Sequence, residues 1–248
     1  MASQHTLPSP PSLHELLARG PVALFVDFDG TLVEIAPDPD AIRVPRTLAA
    51  NIVGLRDRLG GRLAIVSGRA LRDLEGHTGP LDVARAGSHG AHRVHADGAI
   101  AGSEPPALPE AVVEQLQTFA ASQGLRYETK AHGGALHYRS RPECEDAVQA
   151  FANRIAGDAG LVVKRGKAVA ELVHPGADKA GAVRAFMALE PFAGATPIFI
   201  GDDVTDEDGF AGAIEFGGFG VAVGERISDK ARYRLDSVTA VHNWLEIR

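Results

Sequence analysis

Val22-Ala23-Leu24-Phe25-Val26-Asp27-Phe28-Asp29-Gly30-Thr31 decides the reading of this chain. Five continuous apolar residues suit a strand buried on both faces, as in a parallel sheet. Gly30 then lets the backbone turn away just past the strand's end. Open parallel sheets take their ligands at the carboxyl ends of strands, which is where this run delivers Asp27 and Asp29. Side chains two apart on a regular strand share a face. Two neighbouring carboxylates repel, and a cation, a shared proton or a phosphate-bound metal relieves the repulsion. A plain turn uses the same residue types, so the argument depends on what else converges there. An EF-hand loop is excluded by the spacing, with Thr31 following Gly30.

The same rhythm continues on either side. Strand candidates at 62–66, 82–86, 197–200 and 219–223 alternate with helices near 45–59, 70–75, 178–189, 206–214 and 238–246, the pattern of an α/β fold with a mainly parallel sheet. Between 104 and 175 the rhythm changes. A helix over 107–123 precedes strands 125–130 and 135–139, joined through Gly133-Gly134. A helix over 143–157 then precedes strands 161–164 and 168–173, joined by Arg165-Gly166-Lys167. Two helix-hairpin units predict an inserted α+β domain, an antiparallel sheet backed by two helices. The expected organisation is a flexible leader with a short helix over 1–20, a core over 21–103 and 176–248, and an insert over 104–175 placed to act as a lid.

Composition narrows the functional classes. The 248 residues carry 25 Lys and Arg against 32 Asp and Glu, a net charge of -7 that argues against nucleic acid or anionic membranes as partners. A single cysteine, Cys144, rules out an internal disulfide and a cysteine-rich zinc site, and points to a reducing compartment. With neither a membrane-length apolar run nor a secretory signal pattern, the chain reads as cytoplasmic. A monomer is favoured.

Three further stretches lie at predicted strand ends or helix starts. Ala64-Ile65-Val66-Ser67-Gly68-Arg69 ends a strand with a hydroxyl and backbone N–H groups suited to an anion; Ile65 stands where a nucleophile elbow needs glycine. Ile200-Gly201-Asp202-Asp203-Val204-Thr205-Asp206-Glu207-Asp208 closes another strand with a dense acidic run. Helix-start charge explains Asp206 to Asp208, whereas Asp202 and Asp203 at the strand end would complete a hard-oxygen site suited to Mg²⁺. Lys179 opens a helix where its charge opposes the helix dipole, so nearby carboxylates would compensate. A Walker A reading at Gly166-Lys167 fails, because Ala168 occupies the hydroxyl position.

Asp27 and Asp29, then Ser67, then Lys179, then Asp202 and Asp203 form an ordered set that resembles the haloacid dehalogenase superfamily of aspartate-nucleophile phosphatases. Val66-Ser67-Gly68-Arg69, Gly87-Ser88-His89-Gly90, Tyr127-Glu128-Thr129-Lys130, His137-Tyr138-Arg139, Glu171 and Gly201 to Glu207 extend the likeness, over residues 21–248, to the trehalose-6-phosphate phosphatase family within it. The resemblance implies a Rossmann-like core with an inserted cap and a sugar phosphate as substrate. It implies Asp27 as nucleophile, Asp29 as general acid and base, and Lys179, Thr31, Ser67 and Gly68 around the phosphate. Mg²⁺ would be held by Asp27, Asp29 through its backbone carbonyl, and Asp202, with Asp203 or Asp206 in support. Arg69, Glu128, Lys130 and Glu171 would bind substrate, while His137 and Arg139 suit a structural role at least as well. Another capped sugar phosphatase, or a noncatalytic phosphoacceptor module, remain the rival expectations.

Overall fold

The computed structural model describes residues 7–36, 42–103, 106–130, 132–166 and 168–247. In chain order the elements begin α1 (Leu13–Arg19), β1 (Val22–Val26), α2 (Leu48–Arg58), β2 (Leu63–Val66), α3 (Leu71–Thr78), β3 (Ala84–Gly87) and β4 (His92–Val94). A second group follows: α4 (Glu110–Gln123), β5 (Arg126–Lys130), β6 (Gly133–His137), α5 (Glu145–Ala159), β7 (Val162–Gly166) and β8 (Val169–Val173). The chain then closes with α6 (Lys179–Met187), β9 (Thr196–Gly201), α7 (Asp206–Glu215), β10 (Phe219–Val223), β11 (Ala231–Leu235) and α8 (Val238–Leu245). The chain divides into two compact units, Met1–Glu104 with Asp178–Arg248, and Pro105–Ala177.

The first unit is built on a sheet of order β11-β10-β9-β1-β2-β3-β4, in which only the β3–β4 pair is antiparallel. β1 lies between β9 and β2 and is buried along its whole length, which is why Val22 to Val26 run apolar without alternation. Leu24 and Val26 join one core layer with Ile65, Ile198 and Ile200. Phe25 joins the opposite layer, with its ring centroid 5.6 Å from Phe192 and 6.3 Å from Phe186. Truncating such a ring to Ala typically costs about 3–5 kcal/mol. Strand order reverses between β1 and β9, the switch point at which open α/β sheets leave a crevice beyond their carboxyl ends.

Two strands of this sheet lie outside the sequence expectation. β4 has only three residues and turns back on β3, and β11 is an edge strand whose Arg232-Tyr233-Arg234 centre is too polar to read as buried sheet. Residues 7–12, expected within a flexible leader, are tied to this unit. Pro8 O accepts the Arg234 N–H at 3.0 Å, and Pro11 O accepts the Trp244 indole N–H at 2.8 Å. Residues 1–6 of that leader lie outside the described residues. Ser12 caps α1 in a reciprocal box with Glu15.

The second unit is a four-stranded antiparallel sheet of order β5-β6-β8-β7. Leu136, Ala170 and Leu172 from its strands pack with Leu116, Val148 and Ile155 from α4 and α5. The other face is polar, by the period-two alternation of strands. Register puts Glu128, Ala135, Glu171 and Lys164 in one row across all four strands. Gly133-Gly134, expected to make the first hairpin turn, belong to β6 instead, paired with Lys130 and Thr129. Their small size serves packing, since a Cβ on Gly134 would stand 2.7 Å from the Tyr127 hydroxyl oxygen. In the second hairpin Gly166 likewise lies inside β7, paired with Val169. Lys167 of that expected turn and position 104 of the expected insert boundary lie outside the described residues.

Candidate active site

Asp27 sits one residue beyond β1, and its N–H continues the ladder to Ile200 O at 2.9 Å. That bond fixes the first carboxylate at the switch point. The chain then turns at Gly30, with φ +78 and its N–H donated to Val33 O at 2.7 Å. Any side chain at position 30 would strain the backbone and displace Asp202, because a Cβ there would lie 2.2 Å from an Asp202 carboxylate oxygen. Asp202, just past β9, therefore packs directly on the β1 turn. The Thr31 hydroxyl, fully buried, lies 3.4 Å from the same carboxylate.

Lys179 opens α6 behind Asp178, whose carboxylate caps the helix by accepting the Gly181 N–H at 2.7 Å. The lysine is 2% exposed and donates to Asp27 at 2.7 Å and to Asp206 at 2.6 Å. Its position at a helix N-terminus is thereby compensated by two carboxylates from β1 and α7. Burial works against the ammonium charge, but Asp27 and Asp206 outweigh it and hold its pKa above the ordinary lysine range. Burial pushes the Asp27 carboxyl up, Lys179 pulls it back, and Asp206 and Asp202 add to the rise. Asp202 is pushed up to about 6 by burial and by repulsion from Asp206 and Asp203.

Asp27, Asp202 and Asp206 each bring a carboxylate oxygen within 4.8 Å of the others. Three carboxylates face one ammonium in a buried pocket, so the cluster carries surplus negative charge on hard oxygen donors, the chemistry a small divalent cation takes. Asp206 enters this cluster and Asp203 does not. The exposed Asp203 carboxylate accepts its neighbour Val204's N–H at 2.6 Å, whereas Asp206, one helical turn on, points back and accepts the Asp203 N–H at 2.8 Å. Both oxygens of Asp206 are thus engaged within the protein, by Lys179 and by that N–H. The sequence signal was available in Asp203-Val204-Thr205-Asp206, since an acidic side chain at a helix start can reach back to the N–H three residues before it, as in a capping box.

The Asp29 carboxylate lies with Arg69 rather than in the acidic cluster. Arg69 grips it in a bidentate pair, both distances 2.7 Å, and reaches Asp73 at 2.8 Å with its remaining nitrogen. Two carboxylates lift the Arg69 pKa, Asp29 first, against the cost of burial. This guanidinium, expected on substrate, orients Asp29 in this structure. Ser67 is buried, and its hydroxyl accepts the Arg69 N–H at 3.1 Å. Gly68 lies against the His89 ring, 2.7 Å from where a Cβ would stand, so a larger residue in the turn after β2 would push that ring aside. Ser67 and Gly68 stand past β2, beside β1 in the sheet.

In the second unit Lys130 donates to Glu171 at 2.7 Å, and His137 Nε2 lies 2.7 Å from Glu128. Lys130 on β5 reaches Glu171 on β8 across the intervening β6, where Gly133 and Ala135 present almost no side chain. These four polar residues make a continuous, partly exposed hydrogen-bonding face. The sequence leaves His137 open between a structural and a substrate role; its contact with Glu128 joins it to this face.

The chain matches known proteins along most of its length. A family model described as trehalose-phosphatase matches residues 25–238. The trehalose-6-phosphate phosphatase of Escherichia coli (strain K12) is 39% identical over 231 residues, covering 91% of this chain and 85% of that protein. A probable trehalose-phosphate phosphatase of Sinorhizobium fredii is 38% identical over 207 residues, covering 82% and 77%. The solved C-terminal domain of C. albicans trehalose-6-phosphate phosphatase shares the fold, with a TM-score of 0.73 at 21% identity over 99% of this chain and 100% of that one.

Proposed function

The chain belongs to the trehalose-phosphatase family of the haloacid dehalogenase superfamily, and from that premise we propose how it hydrolyses trehalose 6-phosphate to trehalose and phosphate, closing trehalose biosynthesis. The observation that carries the reading is Lys179, buried between Asp27 and Asp206 at the switch point with Asp202 alongside. Asp27 attacks phosphorus, a P–O bond forms to its carboxylate, and the bond to the sugar oxygen breaks. Asp29 gives its proton to that leaving oxygen, then takes one from the water that attacks the aspartyl-phosphate. In this structure Arg69 engages both Asp29 oxygens, so one of the two bonds gives way while Asp29 carries the proton and the other keeps its direction. Lys179 offsets part of the charge of the crowded carboxylates, and Thr31, Ser67 and Gly68 line the phosphate position.

Asp27 and Asp202 are the residues assigned to magnesium, with the Asp29 carbonyl, because Asp206 is already spent on Lys179 and the Asp203 N–H. Magnesium, when bound, offsets the negative charge that otherwise repels phosphate from Asp27. Asp203 supports the site through its backbone N–H, which anchors Asp206, and not as a ligand. Glu128, Lys130 and Glu171 bind the sugar hydroxyls, which need hydrogen-bonding partners once water leaves. Among the described residues no helix is long and apolar enough to cross a membrane; the reading places the enzyme in the cytoplasm as a monomer.

The test is phosphate release from trehalose 6-phosphate, sucrose 6-phosphate, glucose 6-phosphate and a mannosyl phosphate, each with magnesium and with excess chelator. Trehalose 6-phosphate is expected to be hydrolysed far faster than the others, and only with metal. Equal rates on all four would assign a general sugar phosphatase. Release undiminished by chelation would remove the metal.

A further inference from the structure

Arg226 lies in the loop between β10 and β11, outside every motif that the sequence singled out. Its guanidinium makes three donations. Nε donates to the Asp202 backbone carbonyl at 3.0 Å, Nη2 to Glu207 at 2.7 Å, and Nη1 to the carbonyl of its own neighbour Ile227 at 3.0 Å. The loop is held from the other side as well, because Arg234 of β11 donates to the Arg226 carbonyl at 2.9 Å. The second Glu207 oxygen accepts the Lys230 N–H at 3.1 Å. The ion pair is well shielded, with the Arg226 side chain 27% exposed and that of Glu207 13%. Burial opposes the Glu207 charge, but bonds from Arg226 and Ser228 prevail and hold its pKa below the usual carboxylate range.

The position of these bonds gives them consequence. Asp202 and Asp206 supply two of the three clustered carboxylates, and both belong to the segment that Arg226 spans from Asp202 to Glu207. The Asp202 carboxylate rests against Gly30 and Thr31, while its carbonyl rests on Arg226. A carboxylate fixed at one end only would turn with its peptide plane; fixed at both, it has one direction. We infer that Arg226 is a positioning residue for the cation site: by anchoring the Asp202 carbonyl, with Glu207 fixing the guanidinium in turn, it aims the Asp202 carboxylate at the metal. This inference rests on the magnesium reading above. Groups that orient metal ligands from behind typically contribute about 10–100-fold in metal affinity when removed.

The experiment measures magnesium binding directly, by calorimetry and by the magnesium-dependent rise in melting temperature, in the wild type and in Arg226→Met, Arg226→Lys and Glu207→Gln. Met keeps the stem without any donor, and Lys keeps the charge but cannot fork. Arg226→Met is expected to weaken magnesium binding by about 10-fold or more, with Arg226→Lys and Glu207→Gln in between. The activating magnesium concentration should rise in step, while kcat at saturating magnesium stays close to wild type. Magnesium affinities equal to wild type in folded Lys and Gln variants would overturn the inference, as would a fall in saturated kcat with no change in metal affinity. A wild type that binds no magnesium would overturn the metal reading itself, and this inference with it.

Discussion

Lys179 and Lys130 each hold a carboxylate at 2.7 Å, yet the two ion pairs belong to different kinds of site. Lys179 is 3% exposed at its side chain and joins residues 152 and 27 positions away in sequence, so the pair is locked into the central sheet. Lys130 is 31% exposed and spans one hairpin strand to meet Glu171 on a partly solvated face. Desolvation explains the contrast. Charges taken fully out of water must be paired and hydrogen-bonded, which fixes their geometry; charges on a wet face keep water as an alternative partner and remain free to exchange it for sugar hydroxyls. Chemistry that needs one geometry suits the first setting, and recognition suits the second.

The contrast breaks most visibly at Asp27. Asp27→Asn should remove turnover of every phosphate ester, because no other group in the cluster is free to attack phosphorus. Acid-quenched wild type incubated with ³²P-labelled trehalose 6-phosphate should carry label on the chain, and the Asn variant none. Label retained by Asp27→Asn would move the nucleophile elsewhere.

Stability separates the two lysines next. Lys179→Met leaves Asp27 and Asp206 facing each other without a counter-charge, a change expected to destabilise the fold by about 3–5 kcal/mol in urea unfolding. Added magnesium should restore part of the loss, since a cation binding only the folded state stabilises it. Lys130→Met should cost about 1 kcal/mol or less, as partly solvated pairs do. Similar costs at both positions would erase the distinction.

A pH series sharpens the electrostatic side. Burial and the neighbouring Asp206 and Asp203 push the Asp202 carboxyl up to about 6, and only its ionised form attracts a cation. The melting-temperature gain from magnesium should therefore fade as pH falls through about 6, with Asp27, whose carboxyl is raised too, losing charge alongside Asp202. A gain that persists unchanged to pH 5 would contradict the raised Asp202 carboxyl as the group that governs binding.

The strands that carry the chemistry were legible because burial on both faces leaves an apolar run that little else produces, as in Val22 to Val26 and Ile198 to Ile200. β4 and β11 were not, being a three-residue turn-back and a polar edge. Gly133-Gly134 differ for another reason: a glycine pair signals a turn from sequence alone, while here the Leu172 carbonyl and the Tyr127 side chain fill the space that a Cβ would need. At the site, residue types pointed to the carboxylates and the lysine, but the turn into α7 brought in Asp206 and left Asp203 outside. Arg69 on Asp29 and Arg226 on the Asp202 carbonyl depend on the reach of a long, forked side chain across the fold. Spacing along the chain holds no record of that.

The division of labour between the two lysines is tested most directly by kcat/KM for Lys130→Ala on two substrates, trehalose 6-phosphate and a small phosphate ester that offers no sugar hydroxyls. Losing one hydrogen bond from a charged group should lower kcat/KM for trehalose 6-phosphate by about 10–100-fold, with the small ester near its wild-type value. Equal losses on both substrates, or no loss on either, would contradict the assignment of chemistry to one face and recognition to the other.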